Sequence, residues 1–281
     1  MSRPASRNNM MGSLTRLPAE AADECVRVRL YLWPHRLLYI GPGPSTRSHR
    51  HHAAQICWGL GGSLRSRIEP HGKWEAWNGF RVLPDQPHAF DAKDAQVAML
   101  FMESEGAEYA CVEGRLHTDE CIVPFQPPHP AAAGLATLAA EGGTIDEADA
   151  ICRAWLGLGS VNASGRGRDA RIVRALQVLQ SAIDRPVRLQ SLANQLNVSP
   201  SWLSHRFVEE TGVPLRRYVV WTRLRRAVES VLQGASWTEA AHAVGFSDSA
   251  HLSRSFRDNF GIAPSSLIGR RDQISVCFDK G

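Results

Sequence analysis

The chain has 281 residues, 43% of them apolar, enough to bury a sizeable core and to suggest about two domains at the usual ~100–200 residues each. Its six cysteines, Cys25, Cys57, Cys111, Cys121, Cys152 and Cys277, form no CxxC pair, which argues against a disulfide framework, a structural zinc knot or a thioredoxin-type motif and favours a reducing compartment. The net charge of +4 is uneven: residues 166–281 carry 17 Lys and Arg against 10 Asp and Glu, residues 1–165 carry 15 against 18, so the positive excess lies where a phosphate-binding module would need it.

Residues 1–20 contain arginines without an apolar stretch of signal-peptide length, and no segment runs to ~18 apolar residues. The reading is a disordered N-terminus, no membrane span and a cytoplasmic chain. From residue 26 the pattern alternates as strands do, with Val26, Val28, Leu30 and Leu32 on one face and Arg27, Arg29 and Tyr31 on the other. Further strands are expected at 54–60, 64–68, 80–83 and 97–102, divided by Gly, Pro and Asp clusters, which suggests a β-barrel or sandwich. After Pro130 the period becomes helical, through Leu135, Leu138 and Ala139 and then Ile145, Ala148, Cys152, Trp155 and Leu156. Two amphipathic helices are therefore expected to close this domain, either packed on it or forming a dimer surface. The Gly-, Ser- and Asn-rich stretch from Gly157 to Gly167 reads as a linker.

Beyond the linker the chain is read as all-helical. Ile172, Leu176, Leu179 and Ile183 mark one stripe that ends before Pro186; Leu189, Leu192, Ala193 and Leu196 mark a short helix. A longer helix is expected from Leu215 to Leu232, with Leu224, Ala227, Val228, Val231 and Leu232 inward, Arg216, Arg223 and Arg226 outward, and Gly234 as its stop. Around it two similar units repeat about fifty residues apart. Leu196-Asn197-Val198-Ser199-Pro200-Ser201-Trp202-Leu203-Ser204-His205-Arg206-Phe207 precedes Gly212-Val213-Pro214, and Val244-Gly245-Phe246-Ser247-Asp248-Ser249-Ala250-His251-Leu252-Ser253-Arg254-Ser255-Phe256 precedes Gly261-Ile262-Ala263-Pro264. Each reads as a helix-turn-helix, with Ala193 or Ala241 at the close approach of its helices and Ser199 or Ser247 as N-cap of the second helix.

The pairs Leu203/Phe207 and Leu252/Phe256 fix the buried side of each second helix, which turns Ser201, Ser204 and His205, and Ser249, Ala250, His251 and Arg254, outward. Ser201, Ser204, His205, Ser249, His251 and Arg254 are the candidates for reading base edges in a major groove, and Arg254 is the first choice for a guanine. Ser199, Arg206, Arg223, Arg226, Ser247 and Arg257 are the candidates for phosphate contacts. A helix of about eighteen residues spans roughly 27 Å at 1.5 Å per residue, which with its flanking turns matches two reading helices one DNA turn (~34 Å) apart.

On these motifs, 245–248 and 252–256 through Gly261 and Pro264, with Arg223-Leu224 and Ala227, the stretch from about 169 to 270 resembles the DNA-binding domain of the AraC/XylS family of bacterial transcription regulators. Leu252 stands where an aromatic residue is commoner in the family, a conservative core change. The resemblance implies promoter DNA as a partner, two helix-turn-helix units joined by a long helix, usual activation through contact with RNA polymerase, and a small effector sensed by the first domain. A homodimer is a further expectation.

The first domain carries a second resemblance. Gly43, five residues, His49-Arg50-His51, three residues, Gln55, six residues and Gly62 resembles the first cupin motif, with Gln55 where a glutamate is usual, and residues 79–88 more weakly resemble the second, with His88 as its histidine. If residues 49–57 form one strand, His49, His51, Gln55 and Cys57 share a face. His49, His51, Gln55 and His88 then line either an effector pocket or a divalent-metal site, while His35, His52 and His71 are expected at the surface. The fold class expected is α+β in two domains: 1–20 a disordered N-terminus, 21–157 a cupin-like barrel with trailing helices, 158–168 a linker, 169–270 an all-α double helix-turn-helix domain, and 271–281 a tail. Competing readings are a metal-sensing regulator, a metal-dependent cupin enzyme, and an effector-independent DNA-binding protein whose barrel only dimerises.

Overall fold

The computed structural model describes residues 28–93, 95–116, 120–159, 167–267 and 273–279. The expected disordered segment 1–20, the strand start at Val26 and most of the linker lie outside them.

The N-terminal domain begins with β1 (Val28–Trp33), β2 (Arg36–Pro42), β3 (Ala54–Gly61), β4 (Leu64–Ile68), β5 (Glu75–Trp77), β6 (Gly79–Val82), β7 (His88–Asp91) and β8 (Gln96–Met102). Then come α1 (Ala107–Leu116), β9 (Ile122–Pro124), α2 (His129–Glu141) and α3 (Ile145–Trp155). The C-terminal domain holds α4 (Ala170–Ser181), α5 (Leu189–Gln195), α6 (Pro200–Thr211), α7 (Leu215–Leu232), α8 (Trp237–Ala243), α9 (Ser249–Phe260) and α10 (Pro264–Leu267), and the chain then returns to the first domain as β10 (Ile274–Phe278). The fold is α+β in two domains, β-rich first and helical second.

A seven-stranded sheet in the order β10-β1-β2-β8-β3-β6-β9 faces a three-stranded sheet, β5-β4-β7. The larger sheet is buried on both faces, and the strand period of two sorts its side chains accordingly. Leu30, Leu32, Tyr39, Cys57, Val97 and Met99 fill the interior between the sheets. Their neighbours Tyr31, Leu38, Ile56, Ala98 and Leu100 lie on the outer face, covered by Leu135 and Leu138 of α2 and by Cys152 and Trp155 of α3. Those two helices thus pack on their own domain. α3 starts with a full capping box, in which Thr144 and Glu147 satisfy each other's backbone amides.

Sequence periodicity places β1, β3, β4, β6, β8, α2, α3, α5 and α7 within a residue or three of their observed bounds. It leaves out β2, β5, β7, β9 and α1. The expected tail is a correction: 274–278 pair in parallel with β1, Val28 opposite Ile274 and Leu32 opposite Phe278. The helical domain therefore sits between two segments of chain that both belong to the barrel sheet. A second correction concerns residues 49–53, which precede β3. His49 instead forms an isolated antiparallel bridge with His88, their backbones exchanging hydrogen bonds of 2.9 Å in both directions.

α7 organises the helical domain. Its N-terminal Tyr218 and Val219 complete one core with Ile172, Leu179, Leu192, Leu203 and Phe207. Its C-terminal Leu224, Ala227, Val228 and Val231 complete another with Ala240, Ala241, Phe246, Leu252 and Phe256. The two units repeat in backbone detail. Asn197 (φ 53°) and Gly245 (φ 82°) occupy the turns, and Gly212 (φ 74°) and Gly261 (φ 72°) end α6 and α9 in the left-handed region.

Candidate nucleic-acid interface and histidine cluster

In α6 and α9 the apolar pairs at i and i+4 are buried, so the opposite faces look out. Ser201, Ser204 and His205 on α6, and Ala250, His251 and Arg254 on α9, are exposed, while Ser249 is half-buried. Ser199 caps α6 by accepting from the Trp202 amide at 3.1 Å. On α9 the expected cap shifts by one residue: Asp248, not Ser247, accepts from the His251 amide at 2.6 Å. The reason is charge as well as position, since an ionised carboxylate satisfies the positive end of the helix better than a hydroxyl. Ser247 instead supports Asp248 and lies 3.2 Å from His251 Nδ1, so it positions the first turn of the recognition helix.

The six phosphate candidates divide. Arg226 and Arg257 are exposed, as a phosphate ligand must be. Arg206 is held by Glu209 at 2.9 Å and Glu210 at 2.7 Å, so its charge is already met by carboxylates. Arg223 is a correction: it points inward, and its guanidinium donates to the carbonyls of Ile183 (2.9 Å), Gly245 (3.0 Å) and Arg185 (2.8 Å). Two carbonyls from the turn between α4 and α5 and one from the turn of the second unit converge on it, so it staples the start of the helical domain to the second unit. Burial lowers its pKa.

His49, His51 and His88, expected to converge with Gln55, do so. All four are buried, and one ring nitrogen from each histidine lies within 4.8 Å of the other two. The Nδ1 atoms face backbone carbonyls, His49 that of Arg47 (3.0 Å), His51 that of Ala53 (2.7 Å) and His88 that of Gln86 (2.8 Å). Carbonyls only accept, so each Nδ1 carries the proton and each Nε2 presents a lone pair. Burial lowers the pKa of all three, that of His49 to about 3 with help from His51, and the cluster is neutral at physiological pH. The Gln55 amide lies 2.9 Å from His51 Nε2 and 3.1 Å from His88 Nε2, with its other end 3.1 Å from Cys57 Sγ. Two lone pairs need donors, so the consistent orientation turns the amide NH2 toward the imidazoles and its oxygen toward the Cys57 thiol.

Such imidazoles, each anchored through Nδ1 on a carbonyl, also match the outer shell of a three-histidine metal site. The residues fit a divalent ion, for which Gln55 would serve as a neutral fourth donor only with its amide turned over, so that the oxygen faces the imidazole Nε2 atoms.

His52 is a correction, since it is fully buried rather than at the surface. It pairs with Glu105, also buried, and abuts Tyr218 and Trp221 of α7 edge-on at 5.3 and 6.2 Å. Burial alone would lower its pKa, but Glu105 outweighs burial and the net shift is upward. The neighbouring Glu103 is the centre of a group that sequence reasoning missed. One carboxylate oxygen receives Trp221 Nε1 (2.8 Å) and Arg225 Nη1 (2.9 Å), and the other faces His35 Nδ1 (3.0 Å). Burial pushes this carboxyl up, but Arg225 and His35 outweigh it and hold it at about 2. Arg225 further donates to the carbonyls of Trp33 and Pro34 and pairs with Glu229 at 3.1 Å. Ser104 reaches the Thr211 carbonyl, and Arg168 reaches the carbonyls of Ser104 (2.8 Å) and Glu105.

The second unit docks too. Arg47 binds Asp258 at 2.6 Å, and its amide donates to the Gly261 carbonyl at 3.1 Å. Gly261 is required by proximity as much as by φ, because a Cβ there would lie 2.6 Å from the Arg47 oxygen and 2.8 Å from His49 Nδ1. The end of the recognition helix thus rests on the segment that carries the histidines.

Comparison with known proteins finds sequence likeness in the C-terminal part of the chain. Residues 192–270 match a family model described as a helix-turn-helix domain. The transcriptional activator RhaS of Pectobacterium atrosepticum is 37% identical over 105 residues, 37% of this chain and 38% of that one. The Msm operon regulatory protein of Streptococcus mutans is 28% identical over 112 residues, covering 39% and 40%. The chain spans about 40% of the length of these curated relatives. The crystal structure of ToxT from Vibrio cholerae O395 shares the fold of both domains: TM-score 0.57 at 12% identity, over 88% of this chain and 98% of that one.

Arg223→Ala removes three carbonyl bonds at a partly buried site and is expected to lower stability by roughly 2–4 kcal/mol, with DNA binding lost in proportion to unfolding. Thermal melts paired with DNA titrations test this; unchanged stability with a shallower salt dependence would restore its phosphate role.

Proposed function

We propose that this chain, whose C-terminal domain is an AraC-type helix-turn-helix domain, regulates transcription by reading promoter DNA with α6 and α9 under control of a small effector sensed at the mouth of the barrel. The observation that carries the reading is the grip of Glu103 on Trp221 and Arg225. α7 contributes to the core of both reading units, so a barrel that holds α7 holds both recognition helices. An effector that binds one docking arrangement better than another shifts the population and with it promoter occupancy. The outward faces supply base readers at Ser201, Ser204, His205, Ser249, His251 and Arg254, and phosphate ligands at Ser199, Arg226 and Arg257. Activation through RNA polymerase, suggested by relatives named as activators, a homodimer, and action in the cytoplasm complete the reading. None of the relatives described above is named as an enzyme.

A second reading is metal sensing, favoured by the three anchored imidazoles. A resident cation would supply a Lewis-acidic centre there, and His49, His51 and His88 would hold it by their Nε2 atoms.

Two experiments test these readings. Arg254→Ala should cost about 1–3 kcal/mol on the selected promoter site and relax discrimination at one base position, whereas Arg226→Ala should weaken all DNA binding and reduce the salt slope by about one. Equal loss on specific and random DNA for Arg254→Ala would refute its base-reading role. Elemental analysis of protein purified without chelator should show about one metal per chain if the metal reading is right, lost in His49→Ala; absence of stoichiometric metal eliminates that reading together with any metal-dependent activity.

A further inference from the structure

Between the barrel mouth and the helical domain lies a cavity of about 80 Å3. Its barrel wall is Leu30, Leu32, Phe90, Met99 and Phe101, with Tyr39. Its other wall belongs to the DNA-reading domain: Trp221 and Val228 of α7, Phe256 and Phe260 of α9, and Ile262. The buried side of the second recognition helix is therefore part of the lid.

The charged groups at its edge are all ion-paired, with the buried Arg36 Nε left without a hydrogen-bond partner among the described residues. Arg36 is bound to Glu108 at 2.7 Å and to Asp149, and Arg225 to Glu103 and Glu229. Gln55 is used by His51, His88 and Cys57, and Thr46 exchanges hydrogen bonds with the Phe90 backbone at 2.9 and 3.2 Å. His49 differs. It lines the cavity, its Nδ1 is committed to the Arg47 carbonyl, and its Nε2 accepts no hydrogen bond among the described residues. An anion would find no unpaired cation among the described wall residues and would face the Glu103 carboxylate and an imidazole lone pair. A neutral hydroxyl on an apolar body would find an acceptor and aromatic walls.

We propose that this interdomain cavity binds a neutral, mainly apolar small molecule bearing one hydroxyl, of phenol or aromatic-alcohol type, with the hydroxyl donating to His49 Nε2 and the ring lodged between Phe101 and the α7–α9 lid. It rests on the effector-sensing reading above and names the chemical class of the effector. Size gives it a mechanical consequence. Benzene occupies a cavity of about 150 Å3, so a ring can enter a space of 80 Å3 only as the lid moves away from the barrel. The ligand then prefers the arrangement in which the two domains are parted, which is the differential binding that control requires.

The test uses the full chain with 4-ethylphenol, ethylbenzene and 4-ethylbenzoate as probes, by calorimetry, with small-angle scattering and gel shift on the same samples. 4-Ethylphenol is expected to bind about tenfold more tightly than ethylbenzene, the worth of one net hydrogen bond, and 4-ethylbenzoate more weakly than either. His49→Leu should erase the preference for the phenol while leaving ethylbenzene binding unchanged, and Ile262→Phe, which fills the cavity, should abolish all binding in protein whose melting curve remains cooperative. 4-Ethylphenol should also enlarge the radius of gyration. Binding of the benzoate equal to or tighter than the phenol, or a preference that survives His49→Leu, overturns the proposal. Specific DNA binding with no uptake of the phenol overturns the ligand class alone, whereas uptake of the phenol by a chain that binds no DNA overturns the regulator reading.

Discussion

The structure depends on a buried carboxylate that belongs to one domain and is satisfied by the other. Glu103 leaves β8 at the barrel mouth, almost out of solvent, and its charge is acceptable there only because α7 brings Trp221 and Arg225 to it and His35 closes the other side. An uncompensated charge in such a place costs about 3–5 kcal/mol. The cost makes the contact selective rather than simply strong, since a well-packed apolar pair would adhere as well. What the ion pair adds is a single register, because Arg225 also needs the carbonyls of Trp33 and Pro34 at the same position of α7. Around it Arg168 binds the 104–105 backbone and the exposed pair Arg47–Asp258 crosses the seam, while His52 and Glu105 pair within the barrel and His52 abuts Tyr218 and Trp221 of α7.

In the proposed function that register is what ties sensing to reading. α7 is shared by two cores, so a change at its middle is felt by α6 through Tyr218 and Val219 and by α9 through Val228 and Val231. The histidine cluster lies next to the seam. Gly261, at the end of α9, packs against Arg47 and His49, and Phe260 stacks on Trp221 and near His51. The return of the chain as β10 beside β1 ties the end of the helical domain back to the barrel sheet.

Much of this was legible in the sequence where a short-range rule governs it. The Leu203/Phe207 and Leu252/Phe256 pairs fix the faces of α6 and α9, the stripe in 215–232 fixes α7, and strand alternation fixes both sides of the large sheet. The missing parts are set by contacts distant in sequence. β10 has no pattern of its own that says it pairs with β1, some 246 positions away. Alternation with His51 turns His52 toward the surface, a rule that fails because residues 49–53 do not form a strand and because Glu105 supplies a buried partner. Arg223 and Arg225 cannot be separated by composition. Two positions apart on a helix they point about 200° from each other, so one staples the α4–α5 turn to the turn of the second unit and the other grips the barrel. The convergence of His49, His51, Gln55 and His88 was readable from the motif, whereas its neutrality and the orientation of the amide follow from three carbonyls that only the folded backbone supplies.

Small-angle scattering of Glu103→Gln beside the parent chain tests the seam most directly, because the amide keeps the shape of the side chain and removes the charge that Arg225 answers. An expanded, two-body profile is expected from the variant, with circular dichroism of both domains unchanged and with altered affinity for the selected DNA site. A profile and a DNA affinity identical to those of the parent would contradict the role of Glu103 as the contact that sets how the domains dock.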